Sequence, residues 1–380
     1  MTIRCMNKIS SPTVYFFVVL ILLGFSGCKV GRFVWYNYSN ITDHEIFPSR
    51  PLHKSETPFQ FISGQDNSKV EGMVQIMNYK RKAFSLLSFL EETPTVAFLV
   101  IRNDTILYER YFEGYDEGST VASFSMAKSY VSALIGIAIA EGKISSENDL
   151  IIKYVPELSK NVGWDKVTIH HLLQMSSGIC SSEGYNTPFS GAAAIYYGRT
   201  LRKQLLNLKI EKDPMSGFEY KSINTQLLGL VLERATGKTQ TEYLDEKIWK
   251  PLNMEFDASW SIDKKNNGLE KSFCCINAKA RDYAKFGRLY LNKGNWNGEQ
   301  LIPQDWVEKS TEVNNEKGAA WFYNRQWWIG SEVNGDFSAI GHLGQYIYVM
   351  PKKNLLIVRL GTSRANEDWI HVLRQVAEQL

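Results

Sequence analysis

Residues Ala122–Lys128, read ASFSMAK, together with the run behind them, decide how this chain is read. From Met126 to Glu141 the sequence is MAKSYVSALIGIAIAE. Apolar residues at Val131, Leu134, Ile135, Ala138 and Ile139 recur at the spacing of one buried helical face, and Gly142 is a natural C-terminal stop. Ser125 therefore falls at or just before a helix N-terminus, with Lys128 one turn on. Residues three apart on a helix share a face, so the lysine amine reaches the serine hydroxyl. Serine is a weak nucleophile until a base takes its proton, and lysine serves as that base when desolvation lowers its pKa. The free N–H groups and the dipole at a helix start favour an oxyanion beside the serine. The pattern is short, however. Ser261-Ile262-Asp263-Lys264 repeats it in a polar, Asn-rich stretch without the apolar run, and an N-capped helix with an exposed lysine reads the same way.

The chain's 380 residues are 44% hydrophobic and 22% charged, with a net charge of +3. That is an ordinary globular composition with ample core, and no basic block interleaved with aromatics points to nucleic acid. At the N-terminus, Arg4 and Lys8 precede the apolar run Val14–Phe25, which is short for a membrane span and suits an export signal. Phe25-Ser26-Gly27-Cys28 is similar to a bacterial lipobox, in which Cys28 is lipidated and becomes the new N-terminus, although Phe25 stands where an aliphatic residue is usual. An uncleaved signal anchor is the alternative. Both place the folded domain outside the cytoplasm. The expectation is a signal peptide over 1–27, an extended arm over 28–60, and a cell-envelope protein (periplasm or cell surface) held to the membrane by an N-terminal lipid. Of the five cysteines, Cys180, Cys274 and Cys275 follow Cys5 and Cys28. They form no disulfide framework, and the adjacent pair does not readily bridge to itself because the ring is strained. No Cys/His spacing reads as zinc, so neither metal nor organic cofactor is expected.

Residues 72–91 carry a helical pattern at Met73, Ile76, Met77, Phe84, Leu86, Leu87, Phe89 and Leu90. Thr95–Ile101 and Thr105–Phe112 are β-rich runs joined by Arg102-Asn103-Asp104, a hairpin signal. Residues 145–290 read as helical and loop-rich, with helices from Thr168 toward Gly178, over Thr225–Ala235 and over Ala280–Leu291. Strands return at Trp327–Ile329, Phe337–Ile340, Gln345–Met350 and Leu355–Leu360, before a last helix over Asn366–Leu380. The simplest architecture is α+β (or α/β). One antiparallel sheet is built from both ends, about 92–122 and 320–380. Helices back it, and a helical region of about 145–290 packs on one side, within a single domain over 61–380.

A serine hydrolase also needs a proton shuttle to its leaving group and a second oxyanion donor. Tyr220 closes the polar loop Met215–Tyr220 just before a helix, and beside a lysine ammonium its pKa is expected to fall. A buried tyrosine with a satisfied hydroxyl is the commoner reading. Gly341-His342-Leu343-Gly344-Gln345 opens a β-rich run whose glycines allow close approach, making the Gln345 N–H a candidate second donor. Taken by itself, that segment is a tight turn with a surface histidine.

Four motifs thus follow in order: Ser125-Met-Ala-Lys128; His171-Leu-Leu-Gln-Met-Ser-Ser-Gly178; Phe218-Glu-Tyr220-x-Ser222 with Leu227-Leu228-Gly229; and Gly341-His-x-Gly-Gln345. With them the chain resembles the serine β-lactamase-related hydrolases, the superfamily of class C β-lactamases, DD-peptidases and esterases. Over roughly 60–380 it looks most like the branch of aminohexanoate-dimer (nylon-oligomer) hydrolases. The resemblance implies a β-lactamase-like fold, a sheet-and-helix domain and an all-helical one with the site between them. It implies Ser125 as nucleophile, Lys128 as base or electrostatic partner, Tyr220 as proton shuttle, and the N–H groups of Ser125 and Gln345 as oxyanion hole. Two departures matter. Tyr220-Lys221-Ser222, with Asn224 two places later, stands where class C enzymes have Tyr-x-Asn, and His342-Leu343-Gly344 stands for Lys-Thr-Gly. A mostly neutral histidine grips a β-lactam carboxylate less well, so an ester, small amide or peptide-like molecule is the expected substrate. Ser222, Asn224, His342 and Gly344 are candidate substrate-binding residues. Tyr185, in the 180–200 loop, is either a further one or an exposed loop tyrosine. Two rivals stand beside this reading: a DD-peptidase or penicillin-binding activity on the same site, and a non-catalytic cell-envelope binding protein.

Overall fold

Thr95–Arg102 is a β-branched, apolar run buried almost throughout, which places it in the interior of a sheet. In the computed structural model, which describes residues 36, 38–64, 66–184 and 190–380, it is a central strand of eight. The expected signal peptide, Cys28 and Tyr185 lie outside the described residues. In chain order the strands are β1 (Ile62–Ser63), β2 (Thr95–Arg102), β3 (Thr105–Tyr111), β4 (Tyr323–Asn324), β5 (Trp327–Ile329), β6 (Phe337–Gly341), β7 (Gln345–Met350) and β8 (Leu355–Gly361). Their spatial order is β4-β5-β6-β7-β8-β2-β3-β1, antiparallel except where β1 lies beside β3. Asn103 and Asp104 both take positive φ (51° and 58°), the geometry of a tight β2–β3 hairpin. The C-terminal meander joins this hairpin through β8, with Ile357 opposite Val100.

Alternation then sorts side chains to two cores. Leu99, Ile347 and Val358 face one core with α1 (Ala127–Ala140), α2 (Ser222–Thr236) and α3 (Ala280–Leu291). Phe98, Val100, Tyr348 and Ile357 face the other with α4 (Trp369–Gln379) and the helix Leu86–Glu92. α1 is buried nearly all round, which its almost uniformly apolar sequence permits. Among the described residues no helix is long and apolar enough to cross a membrane.

Three sequence expectations change. Residues 72–91 are not one helix: the helix Asn67–Met73 ends, Gln75–Met77 and Ala83–Ser85 pair as a small hairpin, and the helix Leu86–Glu92 follows. Turn chemistry overrides the apolar spacing, because the Asn78 side chain accepts the N–H groups of Lys80 and Lys82 while Arg81 takes φ 59°. The helix after Thr168 stops at Leu173, since Met175 takes φ 55°. And Cys274 is bonded to Cys275, with Cys275 at φ 73°, a turn of the chain that lets the neighbouring sulfurs meet. A second sheet, unforeseen because its strands are so short, runs Ser49–Leu52, Ala258–Ser261, Ile276–Ala278, Val121–Ala122. It ties the N-terminal arm and the segment before Ser125 to the middle of the chain.

Candidate active site

Ser125 sits in a single 3-10 turn, Phe124–Met126, between that second sheet and α1. Phe124 takes φ 44°, a conformation costing a residue with a Cβ about 1–3 kcal/mol. Burial of its ring, edge-on to His342 with centroids 5.4 Å apart, holds it there. The strained turn swings Ser125 to the floor of a cleft of about 200 Å³. Glu183 and Tyr220 stand on the cleft wall with Trp328, the β6 end at Ile340–His342, and Arg364. Among the described residues, a larger hollow of about 700 Å³ beside Arg199 and Lys264 is lined by no serine, cysteine or threonine. The second Ser-x-x-Lys serine, Ser261, is fully buried and accepts a hydrogen bond from Asn277.

Lys128 is 1% exposed. Its Nζ lies 2.9 Å from Ser125 Oγ, 3.1 Å from Ser222 Oγ and 3.0 Å from the Phe273 carbonyl. Burial lowers its pKa from 10.5 to about 7, with the charge of Glu183 pulling the other way. Near neutral pH the amine is therefore uncharged in a large fraction of molecules, with N–H bonds to give and a lone pair to use. The direction of each hydrogen bond follows from its partners. The Phe273 carbonyl can only accept. Ser222 gives its hydroxyl proton to Glu183 Oε1 at 2.5 Å, while its N–H donates to Oε2 at 2.7 Å, so Ser222 Oγ accepts from Lys128. With its N–H bonds committed to these two oxygens, the neutral amine turns its lone pair to the Ser125 hydroxyl.

Glu183, which orients Ser222, escaped sequence reasoning. It lies in a motif-free loop, and nothing in its neighbours in sequence marks it. Ser222 thus has a different place from the expected one: it bridges Lys128 and Glu183 behind the serine.

Tyr220 is half-buried, hydrogen-bonded to Ser125, and carries Lys128 Nζ 5.0 Å from its ring centroid. Its pKa moves opposite to expectation. Burial raises it well above the usual phenol range, and the Ser125 hydrogen bond opposes this only in part. The lysine faces the ring of Tyr220 and is itself uncharged in a large fraction of molecules, so it supplies little of the pull that was anticipated. Tyr220 remains a phenol, a donor, at neutral pH.

His342 lines the cleft with part of its side chain open to solvent; desolvation of the ring by its neighbours, with help from the Arg364 charge, keeps its pKa low and the ring neutral. Gln345 is fully buried opposite Gly341 at the end of the β6–β7 ladder. Its side chain donates to the carbonyls of Gly361 (2.6 Å) and His342 (3.1 Å) and accepts the Gly361 N–H (3.0 Å). Arg359, buried against Trp369, donates to the carbonyls of Leu343 and Gly344 and so pins the turn before Gln345. Gly344 takes φ 86°, and a Cβ there would strike that guanidinium. Asn224 is not brought to the cleft: it is buried, accepting from Ser177 Oγ and donating to the Lys221 carbonyl, because it points into the helical layer from the first turn of α2.

A family model described as Beta-lactamase matches residues 86–380. Among curated proteins, the 6-aminohexanoate-dimer hydrolase of Paenarthrobacter ureafaciens is 30% identical over 293 residues, 72% of this chain and 74% of that protein. A solved Bacillus anthracis structure named for the 6-aminohexanoate-dimer hydrolases is 27% identical, covers 90% of this chain and 91% of its own, and superposes with a TM-score of 0.78. A family VIII carboxylesterase shares the fold at 16% identity and a TM-score of 0.58, over 77% of this chain and 95% of that one.

Proposed function

The chain belongs to the beta-lactamase family as a serine hydrolase of the amidase and esterase type, and from that premise we propose that it cleaves an ester or small amide through an acyl-enzyme on Ser125. The observation that carries this reading is the Lys128 amine, buried, 2.9 Å from Ser125 Oγ and titrating at about 7. Lys128 takes the serine proton as Oγ attacks the carbonyl carbon. The oxyanion forms against the N–H groups of Ser125 and Gln345, and Tyr220 passes a proton to the departing alkoxide or amine. Water then attacks the acyl-enzyme with the same groups acting in reverse. The kinship with an aminohexanoate-dimer hydrolase supports an amide as one substrate, and His342 in place of a lysine supports poor turnover of β-lactams.

A screen of short acyl esters, linear amides and β-lactams, run on wild type and Ser125→Ala with a fluorophosphonate label, tests the proposal. Label on Ser125 and turnover lost in Ser125→Ala are expected. A wild type that neither labels nor turns over any of them would leave the binding-protein reading, and stable penicillin labelling without ester turnover would favour a DD-peptidase. We take the domain to be exported and tethered by lipid on Cys28. Loss of metabolic palmitate labelling in Cys28→Ala is the matching expectation.

A further inference from the structure

Lys128 has the Phe273 carbonyl as an acceptor, and the two residues that follow Phe273 are bonded to each other through sulfur. Cys274 and Cys275 are both buried. The small ring they close is fastened on several sides. The Cys274 N–H donates to the Lys271 carbonyl at 2.9 Å, the Cys274 carbonyl accepts the Trp260 indole N–H at 3.0 Å, and the Cys275 carbonyl accepts the Ser261 N–H at 2.9 Å. Immediately beyond the ring, Ile276 is bonded twice to Ser123, two residues before the nucleophile. Its carbonyl accepts the Ser123 N–H at 2.7 Å, and its own N–H donates to Ser123 Oγ at 3.1 Å. One short segment therefore holds the amine's acceptor at one end and the serine's turn at the other.

Cys275 at φ 73° is the hinge of that segment. A residue with a Cβ disfavours this conformation by about 1–2 kcal/mol, and an unbridged pair would have every extended alternative open to it. Closing the ring removes those alternatives. We propose that the Cys274–Cys275 bond is a positioning element of the catalytic centre, which keeps the Phe273 carbonyl on Lys128 and Ile276 on Ser123, so that the amine's lone pair is left for Ser125. The proposal rests on the Ser125–Lys128 reading above.

The test compares wild type with C274S/C275S and with C274S/C275G, in which glycine takes the left-handed turn without a bond. Wild-type intact mass before and after a dithiol reductant establishes the bond through the gain of two hydrogens. For each folded variant we expect kcat lower by about tenfold or more with KM little changed. The acid limb of the pH profile should move below that of wild type, because an ammonium at Lys128 loses an acceptor. Glu183 and Tyr220, the titratable groups facing Lys128 among the described residues, are left in place by both variants. If C274S/C275S melts below assay temperature, C274S/C275G carries the comparison. A kcat and acid limb at the wild-type position, or a limb above it, overturns the proposal. So does unfolding of both variants, which would assign the bond to stability alone. Absence of the label on wild-type Ser125 would instead sink the catalytic reading, whatever the variants do.

Discussion

At the scale of single residues the proposed chemistry depends on a lysine whose pKa burial lowers to about 7. If neutral Lys128 is the base, kcat/KM for an ester rises with pH through about 7 and then levels, and a stopped assay across pH 5–9 reads this directly. Glu183→Gln removes the negative charge that raises the Lys128 pKa, so its acid limb should move to lower pH, with about a tenfold loss of kcat as Ser222 loses its orientation. Tyr220→Phe should slow amide cleavage by about 10²–10⁴-fold and ester cleavage less, because an amine needs a proton to leave and an alkoxide needs it less. Burying an amine also has a cost. The folded pKa lies below the ordinary 10.5, so the penalty is full below about pH 7 and fades as pH rises toward 10.5. Lys128→Met should therefore be inactive yet more stable, with the gain largest at the acid end of a set of urea melts. Ser125 and Lys128 were legible in the sequence because their spacing is local to one turn. The raised pKa of Tyr220 and the part played by Glu183 were not, since both arise from burial and from contacts between distant segments.

At the scale of elements, the cleft depends on the close approach of β6 to the turn that carries Ser125. A Cβ on Gly341 would lie 2.3 Å from the Ser123 carbonyl, and that carbonyl is backbone that cannot swing aside. Gly341→Ala should keep its circular-dichroism spectrum and lose about 10²-fold in kcat/KM as strand and turn part. The long elements were readable in advance for a simple reason. The β2–β3 hairpin carries its own turn signal at Asn103-Asp104, and α3 was read with the bounds it has, Ala280–Leu291. The failures share a cause as well. At residues 75–85 a side-chain-bonded turn at Asn78 beat apolar spacing that mimicked a helix. In the second sheet, strands of two to four residues are too short to carry a period at all.

At the scale of the whole molecule, the arm before the sheet is a working part of the structure. Arg50, in the strand Ser49–Leu52, places its guanidinium 2.6 Å from Glu270, whose side chain is fully buried and also accepts from Thr241. Arg50→Ala strands that carboxylate and should destabilise the protein by about 3 kcal/mol, read as a lower urea midpoint with an unchanged slope. The antiparallel sheet drawn from both ends was foreseen from the order of strands and helices; the stitching of the arm to the middle was not, because ion pairs between remote segments leave no mark on local sequence. That the wall facing Ser125 comes from β6, near the C-terminal end, has a consequence for biosynthesis. A ribosome delivers Ser125 and Lys128 long before it delivers Ile340–His342, so the growing polypeptide carries the proposed site only in part. On the proposed reading, newborn copies cannot act on an ester until translation is all but finished.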